Sequence, residues 1–391
     1  MNKILLSLLL FYMPFIALSQ GINFESGNFN SVLNKAKVDN KLIFVDCYTT
    51  WCAPCKWLAA NVFTDNNVGE FYNQNFVNFK LDMEKGEGKD FKTNYGVAAY
   101  PTLLFLNPDG SIEHKALGAL DTTGFLRLGQ TALDTNQNLG SFIRRYNSGN
   151  RDIDFLAEYA TICYNTGTAY NIREYFDLVE TNKLIEEKNL KLIELYISDI
   201  NSREFNYIIR NRNIFYNNYP EARINNYIRN TFVKQIYAQE KSLDTKNLRN
   251  HTLKMLRPYS LNDSINLASK IEMDYHLNRS RNWERYVELI KELENNEGVK
   301  AFSFPEWINI IESIVLYANN TENMLLVDKY YKFLIDADFN NHKFYLISGL
   351  IEYKKGIDNK DKWIEKAKEA AKNEGILEIQ LDRLIRIYFP Q

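Results

Sequence analysis

Two of the four cysteines in this 391-residue chain, Cys52 and Cys55, stand close together in YTTWCAPCKW, with only Ala53 and Pro54 between them. That spacing suits a redox pair, half of a metal site or a structural staple. The run before them, KLIFVDCY, is apolar and of strand length, and the run after them carries helical spacing. A helix beginning near Ala53 puts Cys52 at its N-terminus, where unpaired backbone N–H groups and the helix dipole favour a thiolate. Pro54 suits the first turn, because the N–H it lacks has no helical partner there. Cys55 then lies one turn further in and less exposed. The two thiols are chemically unequal: Cys52 reads as the nucleophile that attacks a disulfide, and Cys55 as the thiol that resolves the mixed disulfide.

The rival chemistries lack their partners. A structural zinc needs four ligands at suitable spacing, whereas the chain has one CxxC and four isolated histidines, His114, His251, His276 and His342. No metal site and no cofactor is expected. A cysteine hydrolase needs a histidine, and none lies near the pair in sequence. GEGKD, at 86–90, lacks the spacing of a phosphate loop and reads as a loop before a helix. Cys47 and Cys163 read as buried thiols, with a bridge between them as the sharper alternative. The net charge of −2 proposes neither nucleic acid nor an anionic membrane surface as a partner.

Those residues need elements to hold them. Residues 1–20 carry a basic start at Lys3, an apolar run over 4–18 and small residues at the end, the pattern of a secretory signal peptide cleaved after Ser19 or Gln20, with an uncleaved membrane anchor as the alternative. Export, to a periplasmic or secreted location, places the chain where disulfides persist. Yet four cysteines are too few to staple a chain of this length, and redox chemistry at one place suits the count better.

Over 21–134 the pattern runs helix, strand, helix, strand, helix, strand, strand, helix. Thr64 or Asp65 caps a helix after the cysteines, a tight turn spans 107–110, and Asp121 or Thr122 starts the last helix. This is an α/β sandwich with a mixed sheet and helices on both faces. Residues 135–151 are polar and read as a linker, and 152–391 as a large all-α domain. There, helices are expected over 155–164 and 170–178, joined through 165–167, and again on either side of Gly356. Pro305 is placed for a first helical turn. Most of the aromatics, Trp307, Tyr317, Tyr330 and Tyr331 among them, read as core fillers, with an aromatic-lined peptide groove as the alternative.

FVDCYTTWCAPCKW, VNFKLDME, YGVAAYPTLLFL, PDG and Gly118 together resemble the thioredoxin family, over roughly residues 24–131. The resemblance implies a thioredoxin-like fold and thiol–disulfide oxidoreductase activity. It implies that Trp51 packs beside the nucleophile, and that Pro101 is a cis-proline facing the CxxC, with Tyr100 pairing its backbone to a bound peptide. Asp46 matches the buried carboxylate behind the cysteines, raised in pKa by desolvation and able to take the proton from Cys55. Ala53, where glycine is frequent, and the Ala-Pro pair leave both directions of electron flow open. The helical half resembles tetratricopeptide-type hairpins, forming an array or solenoid-like bundle.

Two functions follow. One is an exported oxidoreductase of protein substrates bearing disulfides or thiols, with a membrane redox partner to resupply or remove electrons. The other is a helical protein-interaction or chaperone-like module that carries a thioredoxin-like domain of little turnover.

Overall fold

The central strand of the sheet is the apolar run that precedes the cysteines. The computed structural model describes residues 21–239, 247–259, 261, 263–376 and 378–389; the expected signal peptide lies outside the described residues. In the first unit the order is α1 (Phe29–Asp39), β1 (Leu42–Tyr48), α2 (Ala53–Asn61), α3 (Asn66–Asn75), β2 (Phe76–Asp82), α4 (Gly88–Asn94), β3 (Thr102–Leu106), β4 (Ile112–Leu117), α5 (Thr122–Leu133) and α6 (Leu139–Asn147). Among the described residues the sheet has four strands in the order β2-β1-β3-β4. β1 runs parallel to β2 and antiparallel to β3, and β3 pairs antiparallel with β4. This is the mixed sheet with flanking helices that the sequence predicts.

Alternation along β1 sorts its side chains to two cores. Phe44 packs with Leu103 and Phe105 against Leu58 of α2, Tyr72 of α3 and Phe125 of α5. Ile43, Val45 and Cys47 face the other way, with Val32 and Ala36 of α1 and Phe91 of α4. Each fully buried Val, Leu, Ile or Phe among them contributes about 1.5–3 kcal/mol. Helix starts follow local capping: Asp65 accepts the N–H groups of Asn67 and Val68, and Asp121 accepts that of Gly124.

The polar stretch 135–151, expected as a linker, holds α6. Its helix was hidden by the surrounding Asn, Gly and Ser, yet Asn138 caps it by accepting the Ser141 N–H at 2.8 Å, and Leu139 and Phe142 are buried. On β4, Glu113 receives both guanidinium nitrogens of Arg144, at 2.7 and 2.8 Å. Asn107 and Asn138 donate to the same carboxylate at 2.9 and 2.7 Å. The Glu113 carboxyl is held below its ordinary value, first by the Arg144 hydrogen bonds.

Described residues up to Arg151, with Ile162–Ala169, form one compact unit; Asp152–Thr161 and the described residues from Tyr170 onward form the other. The second unit is all helical among its described residues. Its first expected hairpin departs from the sequence reading. The helix Ile153–Asn165 is present, but the one expected over 170–178 shrinks to a single turn, Arg173–Phe176. Its first N–H groups are satisfied locally, that of Arg173 by Asn171 Oδ1 at 3.2 Å and that of Glu174 by the Asn171 carbonyl at 3.1 Å. The last hairpin forms as expected, with His342–Lys354 and Lys360–Glu374 on either side of Gly356, whose φ of +80° suits glycine.

Pro305 lies in the first turn of Phe304–Tyr317, and Glu306 reaches back to accept the Ser303 N–H at 2.8 Å. Trp307 and Tyr330 are fully buried with centroids 4.1 Å apart, as core fillers should be. Tyr317 is half exposed and stacks on Trp283 at 4.6 Å beside a cleft of about 630 Å³. No helix among the described residues is long and apolar enough to cross a membrane.

Candidate active site

β1 ends at Tyr48, and four residues later the chain enters α2 with Cys52 as its N-cap. The Cys52 sulfur accepts the Cys55 N–H at 3.2 Å, the same backbone group a capping oxygen would take. A negative sulfur is stabilised by that N–H and by the positive end of the helix. Pro54 occupies the first turn, where its missing N–H costs nothing. Cys52 and Cys55 are joined by a disulfide, with their Cα atoms 5.3 Å apart. Both residues are 3% exposed. The difference in exposure expected from their order along the helix is therefore absent in the disulfide form. What distinguishes the two sulfurs is the N-cap position of Cys52.

Asp46 projects from β1 toward the α2 face of the sheet and is fully buried. In the parallel register its Cα partner on β2 is Lys80, and on β3 it opposes Leu103. Lys80 Nζ stands 3.6 Å from a carboxylate oxygen, an ion pair too long to be a hydrogen bond. Neither Asp46 oxygen has a hydrogen-bond partner among the described residues. Burial pushes the Asp46 carboxyl up and the Lys80 charge opposes it, leaving the group at about 6. Lys80 in turn lies over the Tyr48 ring at 4.7 Å, with Phe63 at 5.6 Å and Phe24 at 5.9 Å. Its ammonium is thus held against aromatic faces.

The rim of the site is aromatic. Trp51 is 64% exposed, and its Nε1–H is shared by both carboxylate oxygens of Glu84, each at 3.0 Å. The Trp51 ring stands edge-on to Tyr100, with centroids 5.8 Å apart. The Tyr100–Pro101 peptide is cis, and the Pro101 carbonyl accepts the Gly118 N–H at 2.9 Å. Lys92 of α4 places its Nζ 5.5 Å from the Tyr100 ring centroid.

Cys47 faces the opposite core, away from Asp46, and burial followed by the Asp46 charge drives its thiol well up, which makes it a poor nucleophile. No disulfide joins it to Cys163, and both are buried. No group of three or more His, Cys, Asp or Glu among the described residues is arranged to hold a metal ion. The sequence reading singled out Cys52, Cys55, Asp46, Trp51, Tyr100 and Pro101 but missed Lys80, Glu84 and Lys92. Lys80 gave no such signal, since VNFKLD alternates apolar and polar and Lys80 falls with Asn78 and Asp82 on the polar positions; parallel pairing is what sets it beside Asp46.

A family model described as Thioredoxin matches residues 21–127. Thioredoxin H4 of Arabidopsis thaliana is 34% identical over 87 residues, spanning 22% of this chain and 68% of that protein. Thioredoxin H-type of Oryza sativa subsp. indica is 33% identical over 111 residues, spanning 27% of this chain and 83% of that protein. Among solved structures, the chain is similar to the solution structure of a candidate disulphide-isomerase from Bacteroides thetaiotaomicron. That likeness has 45% identity, 30% of this chain and 98% of the other covered, and a TM-score of 0.28. These matches span less than a third of the chain.

Proposed function

This chain belongs to the thioredoxin family, and from that premise we propose an exported thiol–disulfide oxidoreductase of protein substrates in which Cys52 attacks, Cys55 resolves and Asp46 moves the proton. The observation that carries the reading is the Cys52–Cys55 disulfide at the start of α2, set against a buried Asp46 whose carboxyl is pushed up to about 6.

In the reducing direction the Cys52 thiolate attacks one sulfur of a substrate disulfide. The Cys52–substrate S–S bond forms, the substrate bond breaks, and the departing thiolate takes a proton. Cys55 then gives its proton to the Asp46 carboxylate and attacks the Cys52 sulfur, expelling the second substrate thiol. Two electrons pass from the cysteine pair to the substrate, and the pair ends as the disulfide. The oxidising direction is the same sequence reversed. A carboxyl near 6 is mostly ionised at neutral pH and close enough to that pH to return the proton afterwards. Trp51, Tyr100 and Pro101 form the wall against which the substrate chain lies. Residues 1–20 support export, and a membrane partner supplies or removes the electrons.

The helical unit is the partner-binding half, with tetratricopeptide-type hairpins as its working description. The half-exposed Tyr317 stacked on Trp283 at an open cleft favours that reading over a purely structural role. Cys52→Ala is expected to abolish reduction of insulin disulfides, and Cys55→Ala to accumulate Cys52-linked mixed disulfides that mass spectrometry identifies. Unchanged turnover in Cys52→Ala would refute the oxidoreductase. Mass spectrometry of the mature N-terminus tests export: a chain that retains residues 1–20 overturns the cleaved signal.

A further inference from the structure

Four side chains make one continuous surface beside the disulfide. Glu84 holds the indole N–H of Trp51, Trp51 stands edge-on to Tyr100, and Lys92 lies over the Tyr100 ring. Trp51 immediately precedes Cys52, and Tyr100 immediately precedes Pro101. A substrate chain delivering its disulfide to Cys52 along Tyr100 and Pro101 therefore passes within reach of the Lys92 ammonium.

The two charges of this surface are used differently. Glu84 has both oxygens on Trp51 Nε1, which fixes that ring. Lys92 is exposed, and among the described residues no carboxylate lies within ion-pair distance of it. Glu84 is near enough for its charge to act on Lys92 but makes no ion pair with it, so the surface carries one carboxylate engaged by Trp51 and one ammonium without an ion-pair partner among the described residues. An exposed ammonium held against a ring at the edge of a binding surface and outside any ion pair acts on an incoming anion, through encounter rate and orientation.

We propose that Lys92 is a specificity-determining residue, selecting disulfides whose attacked cysteine has an acidic side chain within about two positions along an extended chain. This rests on the oxidoreductase reading above. The acidic side chain meets the ammonium while the neighbouring backbone lies against Tyr100, so the contact is made only when the disulfide is presented in one direction.

The test uses the full-length protein, dithiothreitol as electron donor, and two peptides that differ only in carrying Glu or Lys on both sides of the disulfide-bonded cysteines. The wild-type protein is expected to prefer the Glu peptide by about threefold in kcat/KM at low salt, the scale of an exposed charge pair, and to lose the preference in about 0.5 M salt. Lys92→Gln is expected to bring the ratio to about one and Lys92→Glu to invert it, by the same pairwise scale. A wild-type ratio of one overturns the proposal. So does a Lys92→Gln variant that slows both peptides by the same factor, since that is the signature of a residue tuning the Cys52 thiolate rather than reading the substrate. Turnover of either peptide by Cys52→Ala would instead overturn the oxidoreductase reading itself, and the two failures are told apart by that variant.

Discussion

Asp46 in the thioredoxin-fold unit and Glu272 in the helical unit are both buried carboxylates, and their surroundings treat them in opposite ways. Asp46 has one cation, 3.6 Å away, and no hydrogen bond among the described residues. Glu272 receives Arg249 Nε and Arg285 Nε at 3.0 Å each, with His276 Nε2 at 3.7 Å. Those arginines are tied in turn to Glu292, at 2.6 and 3.0 Å. Burial raises both acids. In Asp46 it prevails and the group sits at about 6. In Glu272 the hydrogen bonds and charges of Arg285 and Arg249, with the His276 ring close by, outweigh it, and the group falls to about 2. An acid that only holds helices together is saturated with donors. One left short of donors keeps a proton affinity near neutrality, which is what a proton-transfer group needs.

Stripping the saturated acid has the largest consequence. Replacing Arg249 and Arg285 together by Met leaves Glu272 buried with no arginine, a change expected to cost about 3–5 kcal/mol. Hydrogen exchange followed by mass spectrometry in denaturant should show the loss in peptides covering Ser264–Tyr275 and Trp283–Glu297 and not in peptides covering β1. An equal loss in both would break the contrast.

Relieving the starved acid should do the reverse. Asp46 binds its proton more tightly folded than unfolded, between its ordinary 3.8 and about 6. Its contribution to stability therefore falls as pH rises through that window and remains unfavourable above it. Asp46→Asn is expected to stabilise the thioredoxin-fold unit by about 3 kcal/mol at pH 8, and to slow the resolving step by Cys55. Glu272 has the opposite sign: its stabilisation is present above its ordinary 4.5 and lost as pH falls toward about 2. Hydrogen-exchange stability measured at several pH values separates the two, because β1 peptides should gain on acidification through the window where helical peptides are still unaffected.

The smallest effect sharpens the role of Lys80. Lys80→Met removes the one cation that opposes burial at Asp46, so the pH midpoint of the resolving step should move upward from about 6, by about one unit on the scale of a nearby charge. Quenched-flow decay of the Cys52 mixed disulfide gives that midpoint, and an unmoved midpoint would dissociate Lys80 from the proton transfer.

Local signals in the chain carried much of the architecture. KLIFVDCY reads as a strand because its residues are apolar and of strand length, and its alternation separates Asp46 from Cys47 as the two cores require. Asp65 and Asp121 announce helix starts by the chemistry of their own side chains. The shortened helix at Arg173–Phe176 and α6 were misread for the same reason. Helix length and existence there depend on packing, as with Leu139 and Phe142 finding a core, and composition alone does not report it.

By itself the sequence determined which atoms are available and what lies next to them along the chain. It put two thiols on either side of Ala-Pro, a strand before them and a helix after them, because these depend on neighbours within a few residues. The tertiary structure decided how the site is tuned. Parallel pairing of β1 with β2 sets Lys80 beside Asp46 at 3.6 Å, and the packing of α4 lays Lys92 over Tyr100 beside Trp51. The pKa of an acid and the charge met by a substrate both depend on distances between residues far apart in the chain, and folding creates those distances.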